Sequence, residues 1–150
     1  MARVTRTRKV EAPVAEVWKL VSDPYNLPRW WPRTQRVENV DRKEGGRRTQ
    51  WTKVLQTASG RGVRADFRCV SSAERERYVW EQQLEGTPFE RHLKGLRVEI
   101  GLRERDGRTE VSLSEEQTLK GMSKLGGPLM RRARNEVLDE ALDGLERALT

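Results

Sequence analysis

From Gln35 to Leu119 the chain alternates apolar and polar residues in short runs broken by turn residues, and beyond Leu119 a spacing of three to four takes over. This switch limits the fold more tightly than any other feature. Side chains alternate across a strand, whereas on a helix they return to one face every third or fourth residue. The turn signals are EGGR at 44–47, SGRG at 59–62, SSAER at 71–75, EGTP at 85–88 and RDGR at 105–108. Their spacing predicts a meander of about six antiparallel strands.

The alternation also assigns faces. In GVRADFRCV the apolar set is Val63, Ala65, Phe67 and Cys69, with Arg64, Asp66 and Arg68 opposite. In LRVEIGLRE it is Leu96, Val98, Ile100 and Leu102, with Arg97, Glu99 and Arg103 opposite. One face is wet, and the other must be covered. The end of the chain is expected to supply the cover: a helix over 128–149 that carries Met130, Ala133, Val137, Ala141, Leu145 and Ala148 in one stripe. Leu138, Leu142 and Leu149 widen that stripe, and Gly126-Gly127-Pro128 suits a helix entrance.

Upstream, RVTRTRKVEA predicts a strand over 3–11. Pro13 is expected at the first position of a short helix whose face is Val14, Val17, Trp18 and Val21, ending before Pro24. Pro24, Pro28 and Pro32 limit the next piece to a short broken helix with Trp30 and Trp31 in its last turn. Adjacent residues there must point different ways, one into the interior and one toward a rim. The alternative is that each ring simply plugs the end of the core.

Composition narrows the function classes. At 150 residues the chain has the length of one domain, taken as 1–150, and 35% of its residues are charged, against about 25% in a typical soluble protein. No apolar run approaches the ~20 residues of a membrane span, and MARVTRTRKV lacks the apolar stretch of a leader, so a cytoplasmic location is expected. One cysteine and one histidine leave no disulfide and no Cys/His metal cluster. There is neither a phosphate-binding P-loop nor a Gly-x-Ser-x-Gly elbow, and no cofactor is expected. The net charge of +7 invites a nucleic-acid partner, but in DRKEGGRR, AERERY and LRERDGR the arginines are interleaved with acids. Such mixing marks a solvated face, so no nucleic-acid partner is expected. Nothing here fixes the oligomeric state.

The segment VEAPVAEVWKLVSDPYNLPRWWP resembles the opening of the polyketide cyclase/dehydrase branch of the START and Bet v 1-like (SRPBCC) superfamily. In that branch an Ala-Pro pair precedes a Val-Trp helix, a Ser-Asp end and a Pro-rich second helix. WEQQLEGTPFERHL, the hairpin around Asp106-Gly107 and LDEALDGLERAL are similar too, so the resemblance spans essentially the whole chain. It implies an α+β helix-grip fold, with a seven-stranded antiparallel sheet wrapped around a long C-terminal helix and two short helices after strand one. It also implies a cavity between sheet and helix for small hydrophobic or amphipathic molecules. Members include carriers, receptors and cyclases, with no catalytic set common to all.

Several residues are candidates for lining such a cavity. Trp31 lies at the junction where this fold opens, and Trp51, Phe67, Trp80 and Phe89 are spread through the sheet, where they either line a space or fill it. Val98, Ile100, Val111 and Leu113 share inward registers, and Met130, Ala133 and Val137 face them from the helix. His92 and Lys94 are in phase with Leu96 and Val98, and Glu115 and Gln117 with Val111 and Leu113. A buried charge or amide needs partners, so an inward polar group in a cavity is a candidate ligand anchor. For Lys94, a strand end or a bulge is expected to return the side chain to solvent. The leading expectation is a binding or carrier protein for a small apolar or amphipathic molecule. The alternatives are a cyclase or dehydratase that uses His92 or Glu115 as general base, and an interaction module engaging a partner through its arginines.

Overall fold

The computed structural model describes residues 2–42, 49–57, 60–91, 93–119 and 127–150. The 44–47 turn signal, part of the 59–62 signal and His92 lie outside the described residues, as does the side chain of Met130.

The first strand, β1 (Ala2–Val10), leads into α1 (Val14–Val21), whose Val17, Leu20 and Val21 are buried at the spacing of one helical face. Pro13 stands one position before the first turn and not in it. Its ring fixes φ at −68° but leaves ψ free at an extended 152°, and its carbonyl accepts from the N–H groups of Glu16 and Val17. At the other end Ser22 Oγ donates to the Trp18 carbonyl at 2.6 Å. The Asp23 carboxylate then accepts from the Tyr25 N–H and starts a 3-10 turn over Pro24–Asn26. A single turn of helix, α2 (Leu27–Trp30), follows, and the chain leaves it at Trp31 in extended conformation.

The remaining strands are β2 (Thr34–Asp41), β3 (Gln50–Leu55), β4 (Val63–Ala73), β5 (Arg77–Gln83), β6 (Leu93–Arg105) and β7 (Arg108–Leu119). They form the seven-stranded antiparallel sheet that the resemblance implies, in the order β1-β7-β6-β5-β4-β3-β2. Strands β1 and β2 are its two unpaired edges, and the register of β2 slips twice along its length. The β6–β7 hairpin turns through Asp106 at φ 52° and Gly107 at φ 77°, the left-handed pair that an Asp-Gly turn supplies.

The last helix, α3 (Gly127–Leu149), runs unbroken through Asp139 and closes the inner face. Leu138, Ala141, Leu142 and Leu145 are its buried stripe. Ala133, expected on that stripe, is exposed. The reason is helical phase: at about 100° per residue it points about 140° away from Leu138 and about 180° away from Leu142. Arg134, about 40° from Leu138, takes the inward place instead. Gly144 lies directly against the backbone of Trp30, where an added Cβ would come within 2.8 Å of the Trp30 Cα and 2.9 Å of its carbonyl carbon. Ion pairs from Arg6 to Asp139 and from Arg8 to Asp143 and Glu146 hold the outer side of α3 to β1.

The interior between the sheet and the helices is dominated by aromatic rings. Trp30 and Trp31 are both buried, at 2% and 7% exposure, and meet edge to face at 5.4 Å. Each also packs edge-on against Trp80, which in turn meets Trp51 and Tyr78. On the outer face of the sheet Glu38 joins Arg36 and Arg64, and Glu81 joins Arg68 and Arg97. Such exposed pairs contribute little to stability and chiefly keep the surface solvated.

Cys69 is buried under this cluster with its thiol toward the Ser71 carbonyl at 3.5 Å, and burial pushes its ionisation upward. The thiolate is the reactive form. In a disulfide-exchange assay Cys69 is expected to react at least tenfold more slowly in the native protein than after denaturation; equal rates would contradict the burial.

Candidate functional site

A cavity of about 410 Å³ opens between the inner face of β3 to β7, the start of α3 and Trp31. Its apolar wall includes Trp31, Phe67, Trp80, Phe89, Val98 and Val137, all candidates from the sequence, although Phe89 comes from a 3-10 turn over Pro88–Arg91 and not from the sheet. Leu55, Val63, Ala65, Leu93 and Leu96 complete it. The place of Leu93 follows from a bulge. Leu93 pairs with Leu119 and Gly95 with Thr118, so Lys94 is the extra residue; it is exposed, while Leu93 turns to the cavity.

Trp51, Ile100, Val111 and Leu113 do not line the space. Trp51 stacks behind Phe67 with centroids 6.1 Å apart and planes 12° from parallel, so it supports the wall. Ile100, Val111 and Leu113 keep their inward register and are fully buried, on strands against which α1 packs at β6 and β7 and α3 at β7. Ala133 is turned to solvent, as described above, whereas Val137 faces the cavity.

Among the described residues three ionisable groups stand on the inner wall, with the exposed Arg33 at its rim. Glu115 of β7, 3% exposed, receives two hydrogen bonds from Arg134 of α3, at 2.6 Å from Nε and 2.9 Å from Nη2. This parallel pairing is the strong geometry for a guanidinium and a carboxylate, and it ties the start of the helix to the sheet. Each oxygen of Glu115 thereby accepts one hydrogen bond from Arg134.

The third group, Lys53 of β3, was missed by sequence reasoning. It is 6% exposed and lines the cavity, with Nζ 4.7 Å from the ring centre of Phe67 and 5.3 Å from that of Trp31. Burial lowers its pKa to about 8, against a smaller upward pull from Glu115 and a downward push from Arg134. The ring faces offset part of the lost hydration. The signal was present in QWTKVL, since Lys53 alternates in phase with Trp51 and Leu55. It was obscured because Thr52 and Val54 on the opposite face are buried as well. Gln82 of β5 also lines the cavity, and its buried amide nitrogen has no hydrogen-bond partner. Among the described residues there is no cluster of three or more His, Cys, Asp or Glu side chains that could hold a metal.

The polyketide cyclase/dehydrase and lipid transport family matches residues 1–150. A START superfamily protein from Mycobacterium smegmatis superposes with a TM-score of 0.79 at 18% identity, over 98% of this chain and 96% of that one. A Thermus thermophilus protein gives 0.77 at 22% identity, over 99% and 97%. The Zhui aromatase/cyclase of Streptomyces sp. R1128 gives 0.70 at 20% identity, over 99% and 90%. No curated protein is a significant sequence match to the chain. These structures share the sheet gripping a final helix, which is the START/Bet v 1-like fold. With the match extending over all 150 positions, the chain belongs to the polyketide cyclase/dehydrase and lipid transport family.

Proposed function

We propose that the protein binds or carries a small amphipathic molecule in the cavity between its sheet and its last helix. The observation that supports this most is the space itself, about 410 Å³ beside a core that is otherwise closely filled by tryptophans. A dry void of that size would cost about 10 kcal/mol at the usual penalty per volume, as much as the whole stability of a small domain. The space therefore holds water or a ligand. Its apolar wall, broken by a few polar groups, is the usual composition of a small-molecule site. Among the described residues no helix is long and apolar enough to cross a membrane.

The test is a neutral apolar dye such as Nile red. It is expected to bind with about micromolar affinity and to quench tryptophan emission, since Trp31 and Trp80 form part of the wall. At a hundredfold excess over Kd a ligand should stabilise the fold by about 2.7 kcal/mol. Val137→Trp is expected to abolish dye binding in a folded protein, because a hollow site accepts volume that a packed core does not. Ala133→Trp, on the exposed side of the same helix, should bind dye like the parent. Absence of dye binding to the parent, or equal binding by Val137→Trp, would refute the reading.

A further inference from the structure

Lys53 is a buried cation that has been given rings but no counter-ion. Among the described residues no carboxylate lies within 4.0 Å of its Nζ, and Glu115, the acid on the same wall, is held by Arg134 through both oxygens. Among the described residues, Lys53 and Arg134 against Glu115 leave the inner wall with one positive charge uncompensated, and Arg33 at the rim adds to the same sign. Gln82 supplies a second unsatisfied donor. It pairs in register with Phe67, the residue whose ring lies under Lys53, and all three residues line the same cavity. A buried donor left without an acceptor costs free energy that a suitable ligand would recover.

We propose that the cavity selects an acid: the carboxylate of a flat apolar molecule accepts from the Lys53 ammonium, with the Gln82 amide as a second donor, while its ring system rests against Phe67 and the apolar wall. This rests on the reading of the cavity as a ligand site and specifies the chemistry of the occupant. A carboxylate neutralises the wall, whereas an alcohol of the same shape leaves the cation unpaired. The ionisable groups facing Lys53 are Glu115 from β7 and Arg134 from α3, and Trp31 and Phe67 supply uncharged ring faces.

The experiment is calorimetric titration of the full chain with 2-naphthoate and with 2-naphthalenemethanol, which differ in charge but little in shape. At pH 7 the parent is expected to bind the naphthoate at least tenfold tighter. At pH 8.5, where Lys53 is largely neutral in the empty cavity, the naphthoate should bind with uptake of a proton, read from buffers of different ionisation enthalpy, and the alcohol with none. Lys53→Met should lose the preference and Lys53→Arg should keep it. Equal affinities in the parent, binding of the naphthoate at pH 8.5 without proton uptake, or a preference that survives in Lys53→Met would overturn the assignment of an acid while leaving the cavity reading in place. Failure of both compounds and of the neutral dye to bind would remove both. The proton measurement needs no variant, so the test stands even if Lys53→Met does not fold.

Discussion

Gly144→Ala is expected to destabilise the protein by about 3 kcal/mol, although alanine is the better helix former by about 1 kcal/mol. The new methyl group would meet the backbone of Trp30, carbonyl oxygen included, and backbone cannot rotate out of the way as a side chain can. Relief requires α3 to lift from α2, which would disturb Trp30 and the edge-to-face contacts it makes with Trp31 and Trp80. For a chain of this length the loss corresponds to a fall in Tm of about 6–12 °C. Thermal denaturation of the variant is the measurement, and an unchanged or higher Tm would mean that the two helices do not meet through this glycine.

Lys53→Met is expected to have the opposite sign, raising stability at pH 7 by about 2–3 kcal/mol. Burial draws the amine from the ordinary lysine value of 10.5 to about 8. At about 1.4 kcal/mol per tenfold change in proton affinity, that is about 3 kcal/mol, reduced in part because methionine gives up the attraction between the ammonium and the two rings. Between pH 8 and 10.5 the unfolded chain holds a proton that the folded chain has released, so the parent gains stability as pH rises through this window. Below pH 8 both states carry the proton and the penalty is constant. Chemical denaturation of parent and variant from pH 6 to 10.5 should show their difference shrinking as pH rises. A variant less stable than the parent at pH 7 would show that Lys53 contributes more through its ring contacts than burial takes away.

The sequence was most legible where one face of a strand is wet. Alternation placed Ala65, Phe67 and Cys69 inside on β4, and Val98, Ile100 and Leu102 on β6, and Asp106-Gly107 marked its hairpin correctly. It failed where both faces are covered, as on β3, so that Lys53 passed unnoticed among buried neighbours. The helical stripe was legible from Leu138 onward, but small alanines do not fix a phase, and Ala133 was assigned the place that Arg134 occupies. The bulge at Lys94 was legible in part: its charge among apolar neighbours marked Lys94 as a residue returned to solvent, but the reset of parity that brings Leu93 inward was not read. The volume of the cavity was not legible, since whether Ile100 and Leu113 meet a helix or a void depends on where α1 and α3 lie.

A sheet that ends in two unpaired strands, as this one does at β1 and β2, is a template for further strands. Its two margins meet that hazard by different means. On β2 the slipped register and the left-handed Asn39, at φ 54°, spoil the even row of N–H and C=O groups that an incoming strand would need. On β1 the row is regular; Arg6 and Arg8 are taken up by the acids of α3, but Arg3 and Lys9 stand on the same margin, so a second copy arriving edge to edge would set these cations against each other. Part of the chain's positive excess is thus positioned to oppose ribbon growth and aggregation between copies.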